Sequence, residues 1–386
     1  MSTPVYINDI SAFLPNWPVN NAEMETVLGQ VGPRPSRTRR IVLRNNGIRQ
    51  RHYAIDPVSG ETTHSNAQLT ANAIRKLCNG RLSPEELDLL VCGTSTPDQH
   101  LPNHAVMVHG ELGGQPCEVI GTSGICMAGM TALKHAWLAV QCEQAHRAVA
   151  TGSEQASTYM RARMLQQAER HTEDEVATRP ELAFDADFLR WMLSDGAGAV
   201  LLEPTPATQG LSLRVDWIET MSFAHDLETC MYAGATKQDN GRLVGWRDYP
   251  DAGRMLSDHA LAIKQDVRLL NENIVHYTMG RGLQRTLEKH PMNPADIDWF
   301  LPHYSSEYFR DKLHEEMQAV CFDLPQERWF TNLSTRGNTG SASIYLMLEE
   351  LFRNNRLSAG EKLLCFVPES GRFSSAFMHL TAVSAA

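Results

Sequence analysis

Ser83–Thr96 reads SPEELDLLVCGTST, and Asn293–Ser306, 210 residues further on, reads NPADIDWFLPHYSS. Both stretches are a capped acidic turn, an apolar strand and a polar exit. A second matching pair lies further along each half: Gly121–Leu133 reads GTSGICMAGMTAL, and Ser334–Leu346 reads STRGNTGSASIYL. Each is a small-residue turn running into a helix. The first places Cys126 at the helix start, the second places Asn338 there, 212 residues on, and the strand exit of the second repeat carries His303. A duplicated α/β unit with Cys, His and Asn at matching corners implies one active site between two halves. We divide the chain at 1–205, which carries the nucleophile, and 206–386, which carries His303 and Asn338.

Working outward, strand patterns alternate with helical ones. Residues 65–79 have helical periodicity with Ser65 as cap, and Asn79-Gly80 stops the helix. Leu87–Gly93, Glu118–Ile120, Ala145–Thr151 and Ser194–Leu202 read as strands, with helices over Asn103–Leu112 and Met127–Gln141. Thr158–Leu189 is long, polar and charged, and reads as a helical insertion or flap. In the second half Leu211–Glu219 and Ile297–Pro302 are strand-like. Asp258–Lys289 is mostly helical, with a long stretch from His259 to Tyr277, Glu307–Phe322 and Gly340–Arg353 are helical, and Leu363–Val367 with Ser375–Val383 closes as a hairpin. Strands alternating with helices imply mostly parallel sheets covered on both faces. Two such sheets stacked by duplication give five layers.

Composition excludes several classes. The 386 residues can bury a large core, and 42 % apolar with 21 % charged residues is ordinary for a globular protein. No window approaches a membrane span, and the N-terminus lacks a basic segment followed by an apolar run, so a cytoplasmic location is expected. Eight cysteines without a C-x-x-C pair argue against a zinc ribbon or disulfide framework, and fifteen histidines without H-E-x-x-H give little support to a metal site. A net charge of −10 argues against a nucleic-acid binder. Seven arginines between Arg34 and Arg51 (with Arg37, Arg39, Arg40, Arg44 and Arg49) are the local exception. They are either a solvated loop or a docking surface for phosphate or an acidic carrier.

Cys126 lies between Gly124 and Gly129 at a helix start, where free N–H groups and the helix dipole favour a thiolate. His303 stands at a strand C-terminus, where α/β proteins bind ligands. Asn338 either caps its helix or donates its amide into a shared site. Together they suit thioester chemistry: a thiolate takes the acyl group, and two donors hold an enolate oxygen.

The sequence resembles 3-oxoacyl-[acyl-carrier-protein] synthase III (β-ketoacyl synthase III) of the thiolase superfamily. The resemblance is carried in order by N-G-I-R-Q-R-H at 46–52, L-D-L-L-V-C-G-T-S-T at 87–96, Cys126, G-S-E at 152–154, D-G-A-G-A-V-L at 195–201, D-W-F-L-P-H at 298–303 and G-N-T-G-S-A-S at 337–343. It implies an α/β thiolase fold, five-layered αβαβα from two pseudo-repeats with mixed sheets, and a homodimer. It also implies a Cys126-His303-Asn338 triad and decarboxylative Claisen condensation of an acyl primer with malonyl-acyl carrier protein. An oxyanion hole of Cys126 and Ser370 backbone N–H groups follows, as do acyl-CoA and carrier as partners. No cofactor is expected beyond the coenzyme A thioester as substrate, and no metal, nucleic acid or membrane.

Departures from the family pattern set further expectations. Arg40 or Ile41 stands where the family has a coenzyme-stacking tryptophan, and Y-S-S-E follows the histidine. Arg40 and Arg44 are the expected carrier or coenzyme contacts. Leu101 stands at the family's aromatic gate to the acyl pocket, so a medium or long primer is expected. A thiolase-fold acyltransferase or a non-decarboxylating condensing enzyme stays open, as does, more remotely, a cysteine peptidase.

Overall fold

The computed structural model describes residues 3–31, 39–78, 82–165 and 189–385. Its principal strands are β1 (Tyr6–Phe13), β2 (Leu89–Thr94), β3 (Glu118–Thr122), β4 (Ala148–Glu154), β5 (Gly196–Glu203), β6 (Leu211–Ser222), β7 (Trp299–Pro302), β8 (Lys362–Glu369) and β9 (Ser374–Ser384). The helices that concern the site are α1 (Arg39–Asn46), α2 (Asn66–Leu77), α3 (His104–Leu112), α4 (Met127–Gln141), α5 (Val267–Val275), α6 (Gly282–Lys289), α7 (Arg310–Ala319) and α8 (Ser343–Arg353).

Hydrogen bonding links the strands in the order β7-β8-β9-β6-β1-β5-β4-β2-β3. The join between the halves is slight: β1 meets β6 only at Tyr6–Arg214 and Ile7–Leu213. The two expected sheets are therefore hydrogen-bonded into one. Pairing is mixed, parallel for β7/β8, β2/β3 and β2/β4 and antiparallel elsewhere.

Side-chain alternation builds the layers, because successive residues of a strand point to opposite faces. In β8, Leu363, Cys365 and Val367 join a central core containing residues of α4 and α8. Leu364 and Phe366 turn outward into a core shared with α5 and α7. In β5, Val200 and Leu202 face the centre, while Ala199 and Leu201 meet α2 and α3. The order is helices, strands, central helices, strands, helices, as the thiolase resemblance implies.

Local chemistry explains the helix ends. Ser65 and Gln68 form a reciprocal capping box on α2, and the Asn103 side chain accepts from the Val106 N–H to start α3. Residues 166–188, most of the expected insertion, lie outside the described residues, as do Asn79-Gly80 and Arg34 and Arg37. The expected long helix across 259–277 is corrected. Lys264–Gln265 pairs with Met231–Tyr232, α5 begins at Val267, and His276–Arg281 is a π-helical turn before α6. Asp266 sets that later start by accepting from the Leu269 N–H.

Candidate active site

The two halves approach closely around the turn that follows Asn338. Tyr345 on α8 donates its hydroxyl to the Gly129 carbonyl at 2.8 Å. A Cβ on Gly129 or Gly152 would stand 2.3 or 2.2 Å from the Ser341 carbonyl oxygen. Only glycine at these two positions lets the second half bring its 338–341 turn against α4 and β4.

Cys126 lies at the start of α4 after a constrained elbow. Gly124 has φ +128° and Ile125 φ +26°, a sign that a β-branched residue avoids at a cost of about 1–2 kcal/mol. The elbow aims Cys126 into a cavity of about 340 Å³ that His303, Asn338 and Ser370 also line. The structure thus brings together all four residues singled out from the sequence for the chemistry.

The electrostatics at Cys126 differ from the expectation. Burial pushes the thiol well above its ordinary value, and the carboxylates of Glu154 and Glu369 add to the shift, with only the residue's own N–H opposing. The helix start does not outweigh this, so the resting group is the thiol. Burial alone lowers His303 to about 4, which leaves a neutral imidazole at physiological pH. Its backbone N–H donates to the Phe366 carbonyl at 2.8 Å, which extends the β7/β8 pairing to the histidine.

Asn338 is not a helix cap. Its Oδ1 accepts the Gly340 N–H at 2.9 Å. Its backbone is bridged to the first half, with the Asn338 N–H on the Met192 carbonyl at 3.0 Å and the Ser194 N–H on the Asn338 carbonyl at 2.8 Å.

Two carboxylates matter that the sequence reading gave no role. Glu154, the acid of G-S-E, accepts from Thr96 Oγ1 at 2.8 Å, from the Ser95 N–H at 3.1 Å and from the Ser341 N–H at 3.4 Å. It therefore ties the β2 exit to the turn that carries Asn338. Burial raises its pKa, against those hydrogen bonds. Glu369 caps its own turn through the Gly371 and Arg372 N–H groups, and burial raises it too. A polar residue at a buried strand end was the available signal for Glu154.

Two expectations about binding residues need correction. Leu101 is 86 % exposed and does not line the cavity; it sits in the loop before α3, with its side chain in solvent. The arginine cluster does not act as one surface. Arg51 is buried and donates to the Asn21 side chain and the Trp191 carbonyl. Arg39 pairs with Glu25, and Arg49 donates to Ser334 Oγ. Arg40 and Arg44 are exposed, one turn apart on α1, beside a shallow depression separate from the cavity.

No helix among the described residues is long and apolar enough to cross a membrane. No cluster of three or more metal-ligating side chains occurs among them.

Comparison with known proteins places this geometry. The family described as 3-Oxoacyl-[acyl-carrier-protein (ACP)] synthase III C terminal matches residues 287–374, which contain His303 and Asn338. The family described as Beta-ketoacyl synthase, N-terminal domain, matches residues 117–207, which contain Cys126. The β-ketoacyl-[acyl-carrier-protein] synthase III of Methylococcus capsulatus is 25 % identical over 84 % of this chain and 84 % of its own. Among solved structures, the 3-oxoacyl-(acyl carrier protein) synthase III of Xanthomonas oryzae superposes with a TM-score of 0.73 at 17 % identity, covering 98 % of this chain and 99 % of that one. The OleA protein of Xanthomonas campestris, solved with lauric acid and lauroyl-CoA, gives 0.73 at 16 % identity over 99 % and 100 %. The chain thus matches the C-terminal part of 3-oxoacyl-[acyl-carrier-protein] synthase III in its second half and the β-ketoacyl synthase N-terminal domain in its first, and is a β-ketoacyl-synthase-like acyltransferase of the thiolase fold.

Proposed function

We propose that Cys126 takes an acyl group from an acyl-CoA and that the enzyme condenses it with malonyl-acyl carrier protein by a decarboxylative Claisen reaction. The observation that carries this reading is the convergence of Cys126, His303, Asn338 and Ser370 on one cavity.

In the first half-reaction the Cys126 sulfur attacks the thioester carbonyl, and coenzyme A leaves with the thiol proton. In the second, the bond from malonyl to its carboxylate breaks and CO2 departs. The electron pair passes to the enolate oxygen, held by a neutral His303 ring N–H and Asn338 Nδ2. A neutral donor suits this step, since a buried imidazolium would itself be costly. The enolate carbon then forms a bond to the acyl carbonyl on Cys126. The resulting oxyanion faces the Cys126 and Ser370 N–H groups, and collapse expels the Cys126 thiolate.

Arg40 and Arg44 are the proposed landing site for an acidic carrier or coenzyme. The end of α1 supports this: the Asn45 carbonyl accepts from Ser306 Oγ at 3.4 Å, three residues after His303. A homodimer is proposed through β3. Among the described residues that short strand ends the sheet, with no partner strand on one side of its backbone, and Leu101 and Val106 are exposed nearby in the chain.

A second reading, condensation without loss of CO2, is favoured by Glu154, a buried carboxylate on the cavity with a raised pKa that could take a proton from carbon. Release of labelled CO2 from carboxyl-labelled malonyl-carrier separates the two. CO2 equal to product supports the decarboxylative reading, and product formed from an unlabelled acyl thioester partner without CO2 supports the other.

A further inference from the structure

Arg51 is among the largest fully buried side chains of the molecule, and it does not line the cavity. Its guanidinium donates to two neutral oxygens, the Asn21 side-chain Oδ1 and, from Nη2 at 2.7 Å, the Trp191 carbonyl. Its Nε has no partner among the described residues. A buried cation held by neutral acceptors is costly, and packing alone would be served as well by a methionine.

The guanidinium reaches the seat of Asn338. Trp191 precedes Met192, whose carbonyl accepts the Asn338 N–H at 3.0 Å, and the Ser194 N–H returns to the Asn338 carbonyl at 2.8 Å. Asn46 Nδ2 donates to the same Trp191 carbonyl at 3.0 Å, so both lone pairs of that oxygen are engaged. The stem of Arg51 closes the other side. A Cβ on Gly337, the residue before Asn338, would stand 3.1 Å from Arg51 Cγ and 2.8 Å from Ser194 Cβ. The Gly340 N–H orients the Asn338 amide within its turn, and the contacts of Arg51 fix where that turn sits.

We propose that Arg51 is a positioning residue for the enolate step: it holds the 191–194 segment and Gly337, and through them aims Asn338 Nδ2 into the cavity. The inference rests on the condensing-enzyme reading, in which that amide donates to the enolate oxygen. A hydrogen-bond donor displaced by about 1 Å can lose about 10²-fold in rate, so a residue that touches no substrate still controls the step.

The test measures two single-turnover steps, acylation of Cys126 by octanoyl-CoA and CO2 release from malonyl-acyl carrier protein. The wild type, Arg51→Met, Arg51→Lys and Asn21→Ala are compared, each with its melting temperature, and the methionine and Asn21 variants are repeated in an Asn338→Ala background. Arg51→Met should lower CO2 release by about tenfold or more and acylation by less than about threefold. Arg51→Lys, which keeps the charge and a donor, should recover part of the loss. In the Asn338→Ala background Arg51→Met should cost less than about twofold further, because the group it aims is gone. Asn21→Ala, at the partly exposed end of the contact, should show the same bias in milder form, and this pair of variants stands if Arg51→Met does not fold. Unchanged CO2 release in folded variants, equal loss of both steps, or a loss of the same size with and without Asn338 would overturn the proposal. A wild type that acylates Cys126 yet releases no CO2 would instead remove the decarboxylative reading beneath it.

Discussion

The Asn338 Oδ1 accepts the Gly340 N–H at 2.9 Å, and that single bond orients the amide so that Nδ2 is its remaining donor. The residue thereby acts as a fixed hydrogen-bond donor to the cavity it lines. Asn338→Asp keeps the shape and the acceptor but replaces the donor with a charge. It should lower malonyl decarboxylation by about 10²-fold or more, the usual cost of an oxyanion donor. Asn338→Ala and His303→Ala should do likewise, and acylation of Cys126 should persist in part in all three. Single-turnover assays of each half-reaction check this, and equal loss of both would contradict the division of labour.

Glu154 stands first among the charges that raise the Cys126 thiol, which leads to a pH signature. A raised thiol pKa leaves the thiolate a minor form, growing about tenfold per pH unit below that pKa. Alkylation of Cys126 by iodoacetamide should therefore climb through pH 9 without a plateau. Glu154→Gln removes the charge and should shift the curve to lower pH. A plateau below the pKa of about 8.5 usual for a free cysteine would contradict the assignment.

Gly152 stands at a close approach of the two halves. A Cβ there would lie 2.2 Å from the Ser341 carbonyl, a backbone atom that cannot swing away. Gly152→Ala should destabilise the fold by about 1–3 kcal/mol, the usual range for overpacking. It should also weaken condensation more than acylation, because the displaced turn carries Asn338. Urea denaturation with the two half-reaction assays tests both.

Much of this arrangement was legible in the sequence because local rules and the duplication agreed. Helix α4 runs from Met127 to Gln141 as its pattern predicts, and α2 begins at its Ser65 cap. The repeat brought Cys126, His303 and Asn338 to one cavity despite separations of up to 212 residues. Other features were not legible. The thiol state of Cys126 depends on Glu154 and Glu369, which approach it only through tertiary packing. The wall around Met231, Tyr232 and Ile263 comes from short paired segments with no periodicity to read. Leu101 does not line the cavity of its own chain, because likeness of position does not fix which way a loop side chain points.

Arg40, Arg44 and Arg49 are the exposed members of the arginine run among the described residues, and Arg49 is held on Ser334 Oγ while Arg39 and Arg51 are bonded into the fold. Charge reversal of both, Arg40→Glu with Arg44→Glu, should raise KM for the carrier or coenzyme several-fold with little change in kcat. The remaining salt dependence should flatten, since the steering charge is gone. Steady-state kinetics across ionic strength would show this, and an unchanged KM at low salt would reduce the pair to ordinary surface.

The most direct measurement is peptide mapping after the protein meets octanoyl-CoA, followed by addition of malonyl-acyl carrier protein. The account predicts one acyl adduct on the peptide containing Cys126, absent in Cys126→Ser and discharged by the malonyl carrier with release of CO2. Stable acylation at Cys117, Cys142 or another side chain, or turnover by Cys126→Ser at the normal rate, would contradict it.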